Sequence, residues 1–179
     1  YDAPLPQPES FEVYPNRDSL PFIADYRFDP AWKVRDFVRG TLRLNGWAEA
    51  WTPVFREVET LTGPAGDTRL REMSDQFWRD NAYEPGEPDR VVLFVSLKAE
   101  KDGVAVFHET WAMDAHGDAR GTAMARLVSV PVSLAVEAVV NRSLPAGVQP
   151  APHDPKLVAA WMVAVQGQSQ YLERVDHLA

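Results

Sequence analysis

Val91-Val92-Leu93-Phe94-Val95-Ser96-Leu97-Lys98-Ala99-Glu100-Lys101-Asp102-Gly103-Val104-Ala105-Val106-Phe107-His108-Glu109-Thr110-Trp111-Ala112-Met113 is the stretch whose reading decides the fold. β-Branched and aromatic residues fill both arms, and such side chains suit a pleated, half-buried surface. Asp102-Gly103 is a type I′ turn pair, since both central positions of that turn need a left-handed backbone. The arms therefore predict an antiparallel hairpin over 91–101 and 104–113. A two-residue loop sets Lys101 opposite Val104, Leu97 opposite His108, Val95 opposite Thr110 and Phe94 opposite Trp111. Leu93, Val95, Leu97, Val106, His108 and Thr110 then share one face, and Phe94, Ser96, Lys98, Phe107, Glu109 and Trp111 the other. Both faces carry apolar bulk, so both are expected to be partly covered.

Upstream, Val34 to Arg43 alternates in the same period. Val34, Asp36, Val38, Gly40 and Leu42 point one way, and Arg35, Phe37, Arg39, Thr41 and Arg43 the other. This strand is predicted to join the hairpin's sheet with Val38 and Leu42 inward. Ser10 to Tyr14 is a shorter strand that Pro15 ends, and Asp18 or Ser19 caps a short helix through Tyr26. Asn45 is placed to cap a helix with Trp47, Trp51, Val54, Val58 and Leu61 along one stripe. Gly63-Pro64-Ala65-Gly66 breaks it, and a second helix follows over about 67–81. Downstream of the hairpin, Thr122 caps a helix that Pro131 should kink or break. Asp154 caps and Pro155 opens the last helix, and Tyr171 to Val175 is a closing strand. The alternate prolines of residues 1–9 predict an extended linker, with residues 10–179 as one domain. The class expected is α+β, a mixed but largely antiparallel sheet with helices packed on one face.

Composition narrows the partners. A chain of 179 residues with 45% hydrophobic and 25% charged residues has the ordinary mix of a globular domain. A net charge of −8 argues against nucleic acid, whose phosphates call for a basic surface. With no cysteine, disulfides, thiol catalysis and cysteine-ligated metals are excluded. No apolar run approaches the roughly 20 residues that span a bilayer, so no membrane partner is expected. An acidic, cysteine-free chain without an export signal fits the cytoplasm. Tyr1-Asp2-Ala3-Pro4 lacks an initial Met, which predicts a piece of a longer polypeptide.

The ten glycines never fall in Gly-x-Gly spacing, so the dinucleotide fingerprint is missing. His108, His116, His153 and His177 are scattered and predict no metal site. His108 is expected either as a half-buried, satisfied histidine or as the wall of a cleft. Tyr14-Pro15-Asn16-Arg17-Asp18-Ser19 is more informative. Arg17 offers a planar fork of donors suited to a carboxylate, and Ser19 adds a donor at a helix start. The same residues also make a capping knot in which Asp18 pairs with Arg17. Arg35, Arg39 and Arg43, on one strand face with Thr41, are either a solvated face paired with nearby acids or a cleft wall for an acidic ligand. Thr122 is either a plain helix cap or the head of an anion-receptive helix terminus. No residue stands out as catalytic.

Tyr14-Pro15-Asn16-Arg17-Asp18-Ser19-Leu20-Pro21, then Val38-Arg39-Gly40-Thr41-Leu42-Arg43 leading into a turn at Gly46, resembles the substrate domain of saccharopine dehydrogenase-like oxidoreductases of the saccharopine reductase and carboxynorspermidine dehydrogenase type. Thr122-Ala123-Met124-Ala125-Arg126 after a hairpin, Pro131, and the loop Gly147-Val148-Gln149-Pro150 add to the likeness. The resemblance implies the C-terminal substrate-binding and dimerisation domain of an NAD(P)-dependent enzyme that acts on CH-NH groups of amino-acid-like substrates. NAD(P) would be bound by a Rossmann domain that this chain lacks, so the chain alone should be inactive. Arg17 would hold a substrate carboxylate, with Asn16 and Ser19 beside it, Arg39 and Thr41 lining the same cleft, and Thr122 at a helix head. A homodimer is expected. The alternative is a stand-alone acidic ligand-binding or interaction module without chemistry.

Overall fold

Asp102 and Gly103 take φ of 52° and 78°, the two left-handed positions the turn needs. The computed structural model describes residues 1–179. In chain order its elements are β1 (Asp2–Ala3), β2 (Glu9–Pro15), α1 (Phe22–Asp25), β3 (Gly40–Leu44), α2 (Trp47–Val58), α3 (Gly63–Asp80), β4 (Arg90–Lys101), β5 (Val104–His116), α4 (Ala123–Val140), α5 (Pro155–Gln166) and β6 (Tyr171–Asp176). They form an α+β fold with two three-stranded sheets, ordered β1-β2-β3 and β4-β5-β6. The chain divides into two units. One comprises Tyr1, Ser10–Tyr14 and Thr41–Glu87; the other comprises Asp2–Glu9, Pro15–Gly40 and Pro88–Ala179. The residues 1–9 read as an extended linker instead contribute β1, turn at Leu5 where its amide donates to the Ala3 carbonyl at 2.8 Å, and bury Ala3 and Leu5.

The hairpin forms in the second unit, but its register differs from the simple count. Glu100 pairs with Ala105 and Ala99 with Phe107, so Val106 is an extra residue in a β-bulge. Beyond it, Leu97 faces Glu109, Ser96 faces Thr110, Val95 faces Trp111 and Phe94 faces Ala112. The slip moves Phe107, Glu109 and Trp111 to the side of Leu93, Val95 and Leu97. The observed register satisfies Thr110, which is 1% exposed, through a 2.9 Å bond to the Ser96 hydroxyl. It also sets Ala112, rather than bulky Trp111, against Phe94. His108 proves half-buried, with its ring stacked on His177 at 4.2 Å. On the other face Leu93, Val95 and Leu97 are 49%, 61% and 48% exposed. β6 adds to β5 with Met113 opposite Leu172, both buried.

The strand predicted over 34–43 is shorter and lies in the other sheet. Only Gly40–Leu44 is strand, and it pairs within β1-β2-β3. The preceding residues are used otherwise. Phe28 meets Trp32 and Phe37 at 5.6 and 5.5 Å, and Tyr26 meets Phe37 at 5.8 Å. This aromatic cluster, not a ladder, organises residues 22–37, and Val34 and Val38 stay exposed.

α4 keeps its expected Thr122 cap, yet runs through Pro131 without a break. The Ser133 hydroxyl donates to the Ser129 carbonyl across that turn at 2.9 Å and so supports the helix beside the missing amide. Met124, Val128, Val132 and Val136, spaced four apart, are each more than half exposed. By length and composition α4 is long and apolar enough to cross a membrane. Arg126, Ser129, Ser133 and Glu137 interrupt its apolar residues, so its length is not apparent as one apolar run.

In the first unit, Asn45 does not cap α2. Its side-chain amide donates to the Ser10 hydroxyl at 2.6 Å. Glu12 on β2 does the capping, accepting from the Gly46 and Ala48 amides at 2.7 and 3.0 Å and from the Tyr14 hydroxyl at 2.7 Å. The Tyr14 hydroxyl and these amides hold the Glu12 carboxyl below its ordinary range. Trp47 stacks on Trp51 at 5.3 Å, and Trp51 meets Phe77 of α3 at 5.4 Å.

Candidate functional site

Residues 15–40 of the second unit close on themselves at Arg39. The Asn16 amide donates to the Arg39 carbonyl at 2.8 Å. The Arg39 amide donates to the Ser19 hydroxyl at 3.0 Å, and Ser19 is 8% exposed. The Phe22 amide donates to the Ser19 carbonyl at 3.1 Å, so α1 starts from the same knot. Asn16, Ser19 and Arg39, some twenty residues apart in sequence, are thereby brought together.

The charges around the knot decide what it can do. Asp18 accepts from the Leu20 amide at 3.1 Å and makes a local turn. Arg17 is exposed and makes no ion pair with Asp18 or any other acid. The Arg39 guanidinium is half-buried, lies 3.7 Å over the Phe22 ring, and likewise has no carboxylate partner. The three strand arginines do not share one face. Arg35 pairs with Glu100 at 2.8 Å, and Arg43, in the first unit, lies 5.3 Å over Trp47. Thr41 is half-buried in β3 and also belongs to the first unit.

Thr122 stands at the head of α4, where its hydroxyl accepts from the Ala125 amide at 3.2 Å. The preceding amides are already occupied. Asp89 accepts from Ala123 at 2.7 Å and from Met124 at 2.9 Å. These amides hold the Asp89 carboxyl below its usual range, Met124 contributing most. Gly117 makes room for this carboxylate, since a Cβ there would sit 2.5 Å from Asp89 Oδ1. No motif spacing points to Asp89, because 34 residues separate it from Ala123.

Arg126, also unmarked by its spacing, is 6% exposed and ties this end of the unit together. Its guanidinium reaches Asp118 at 3.1 Å, the carbonyls of His116 and Gln168 at 2.9 and 3.2 Å, and the Gly121 carbonyl. Asp118 is further forked by Arg120, and chiefly for that reason its carboxyl is lowered to about 2. A folded-state value below the unfolded one adds stability above the unfolded pKa, lost as pH falls through the folded value. The loop 117–121 should therefore hold its anchor until pH drops from about 4 toward 2. Carbon-detected NMR titration is expected to place the Asp118 midpoint near 2; a midpoint near 4 would contradict the ion-pair geometry.

The class defined so far is an α+β domain that presents unpaired guanidinium groups beside a buried serine. Residues 2–169 match the family model described as the saccharopine dehydrogenase C-terminal domain, and the chain belongs to that family. Compared with curated proteins and with solved structures, the chain matches none. The family makes this an oxidoreductase-associated domain, broadly of amino-acid metabolism, and a part of a larger dehydrogenase with a small-molecule substrate. Its members generally use NAD(P). The residues of this chain do not fit a dinucleotide. β4, β5 and β6 pair antiparallel, and no Gly-x-Gly turn leads from a strand into a helix.

Proposed function

We propose that this chain is the substrate-binding and dimerisation domain of an NAD(P)-dependent oxidoreductase that acts on the CH-NH groups of amino-acid-like, saccharopine-type substrates. Arg17 and Arg39 receive a substrate carboxylate, Asn16 and Ser19 hold the backbone that presents them, and Thr41 flanks them in the sequence. The observation that carries this reading is that both guanidinium groups lack a carboxylate partner, although the chain has more acids than bases. An unpaired, forked cation in such a chain is poised for an external anion. The nicotinamide cofactor is held by residues outside this chain, in a Rossmann domain of the same cytoplasmic protein. The test is calorimetric titration of the protein with the dicarboxylate glutarate, before and after Arg17→Ala. Equal affinity in the two would contradict the assignment.

The dimer contact in this proposal is the open face of the β4-β5-β6 sheet. Leu93, Val95, Leu97, Phe107 and Trp111 lie there, all more than a third exposed. Glu109 and Arg174, ion-paired at 3.4 Å, lie on the same face, so the exposed apolar residues surround one charged pair. Such a patch suits an interaction surface, and the same patch on two copies gives an isologous contact. Sedimentation at micromolar concentration is expected to show a dimer, and Val95→Lys a monomer, since the lysine would bury an unpaired charge. A parent protein that stays monomeric over a wide concentration range would refute the contact.

A further inference from the structure

We infer that Phe22 is a positioning residue for the carboxylate site: its ring holds the Arg39 guanidinium by one face so that the edge stays free to fork a ligand carboxylate. The inference rests on the reading of Arg17 and Arg39 as the receptor. The stacking distance, 3.7 Å from Arg39 Cζ to the ring centroid, is direct van der Waals contact. Both sides of the contact are fixed. Arg39 is held through its amide and carbonyl by Ser19 and Asn16. Phe22 is held through its amide by Ser19 and through its ring by Tyr26, 6.5 Å away.

The chemistry of guanidinium explains what this arrangement does. The charge is attracted by the ring's quadrupole, and the flat cation lies against it. All five N–H groups point in the guanidinium plane, so stacking uses none of them. The ring shields one face from water and removes rotamer freedom that binding would otherwise have to remove. A ligand with a planar carboxylate can then take two parallel N–H···O bonds along the free edge. Leucine would fill much of the same volume but has no ring quadrupole, whereas tyrosine and tryptophan keep it.

The experiment is titration of the full-length protein with glutarate, using Phe22→Leu, Phe22→Tyr, Phe22→Trp, Arg39→Ala and the Phe22→Leu/Arg39→Ala double variant. Phe22→Leu is expected to raise Kd about threefold to thirtyfold, and Phe22→Tyr and Phe22→Trp to stay near the parent value. In the Arg39→Ala background, Phe22→Leu should have no further effect, which a merely structural role for Phe22 would not produce. If Arg39→Ala weakens binding but Phe22→Leu does not, the positioning role is wrong and the carboxylate site stands. If the two substitutions weaken binding independently, Phe22 acts through the fold and the inference is likewise overturned. If neither Arg17→Ala nor Arg39→Ala changes glutarate affinity, or the parent does not bind it, the site reading itself fails.

Discussion

Replacing Arg126 with methionine is expected to destabilise the protein by about 3 kcal/mol, because it removes a buried guanidinium and the hydrogen bonds it donates to three carbonyls. Methionine fills the space but leaves the carbonyls of His116, Gly121 and Gln168 without their donor. Those three groups come from the end of β5, the loop before α4 and the segment before β6, so one side chain secures three connections. Asp118 keeps Arg120, which limits the loss. In a domain of this size the melting temperature should fall by roughly 6–12 °C. Arg126→Lys should recover little, since one ammonium cannot reach acceptors that a planar fork spans. Calorimetric melting of the variants beside the parent checks this; melting at the parent temperature would mean that the network adds no net stability.

Arg17→Ala is expected to do the reverse, leaving the fold intact and weakening carboxylate binding. Arg17 is exposed and makes no ion pair, so its loss orphans nothing. A charge-assisted hydrogen bond contributes roughly 1.5–3 kcal/mol, which is about a tenfold to hundredfold change in affinity. Arg17→Lys should rescue poorly, because an ammonium does not reproduce the two parallel donors of guanidinium. Titration with glutarate, paired with thermal melting, separates the two outcomes. A variant that binds as tightly as the parent contradicts the role of Arg17. One that loses binding and melting temperature together would place Arg17 in the fold instead.

What the sequence made legible follows from how local each cause is. The hairpin turn was readable because two adjacent residues impose it, and the Thr122 and Asp154 caps because each acts three residues along. The bulge at Val106 was not readable, since it is selected by partners across the sheet: Ser96 for Thr110 and Ala112 for Phe94. The caps that Glu12 and Asp89 supply to α2 and α4 come from 34 residues away, and no spacing rule reaches that far. Alternation over 34–43 overstated the strand because an aromatic cluster can use the same alternate positions. In the candidate site, the residue types at 16, 17, 19 and 39 pointed to carboxylate chemistry. Their closure through the Arg39 backbone and the stacking on Phe22 did not, since a lone phenylalanine in a short helix reads as core.

The most direct test of the central claim is NMR observation of the arginine Nε–H signals of Arg17 and Arg39 while glutarate is added to the full-length protein. The carboxylate site predicts that both signals shift with one common saturation curve, while those of the ion-paired Arg90 and Arg120 stay in place. Unmoved signals from Arg17 and Arg39 at saturating glutarate would contradict it.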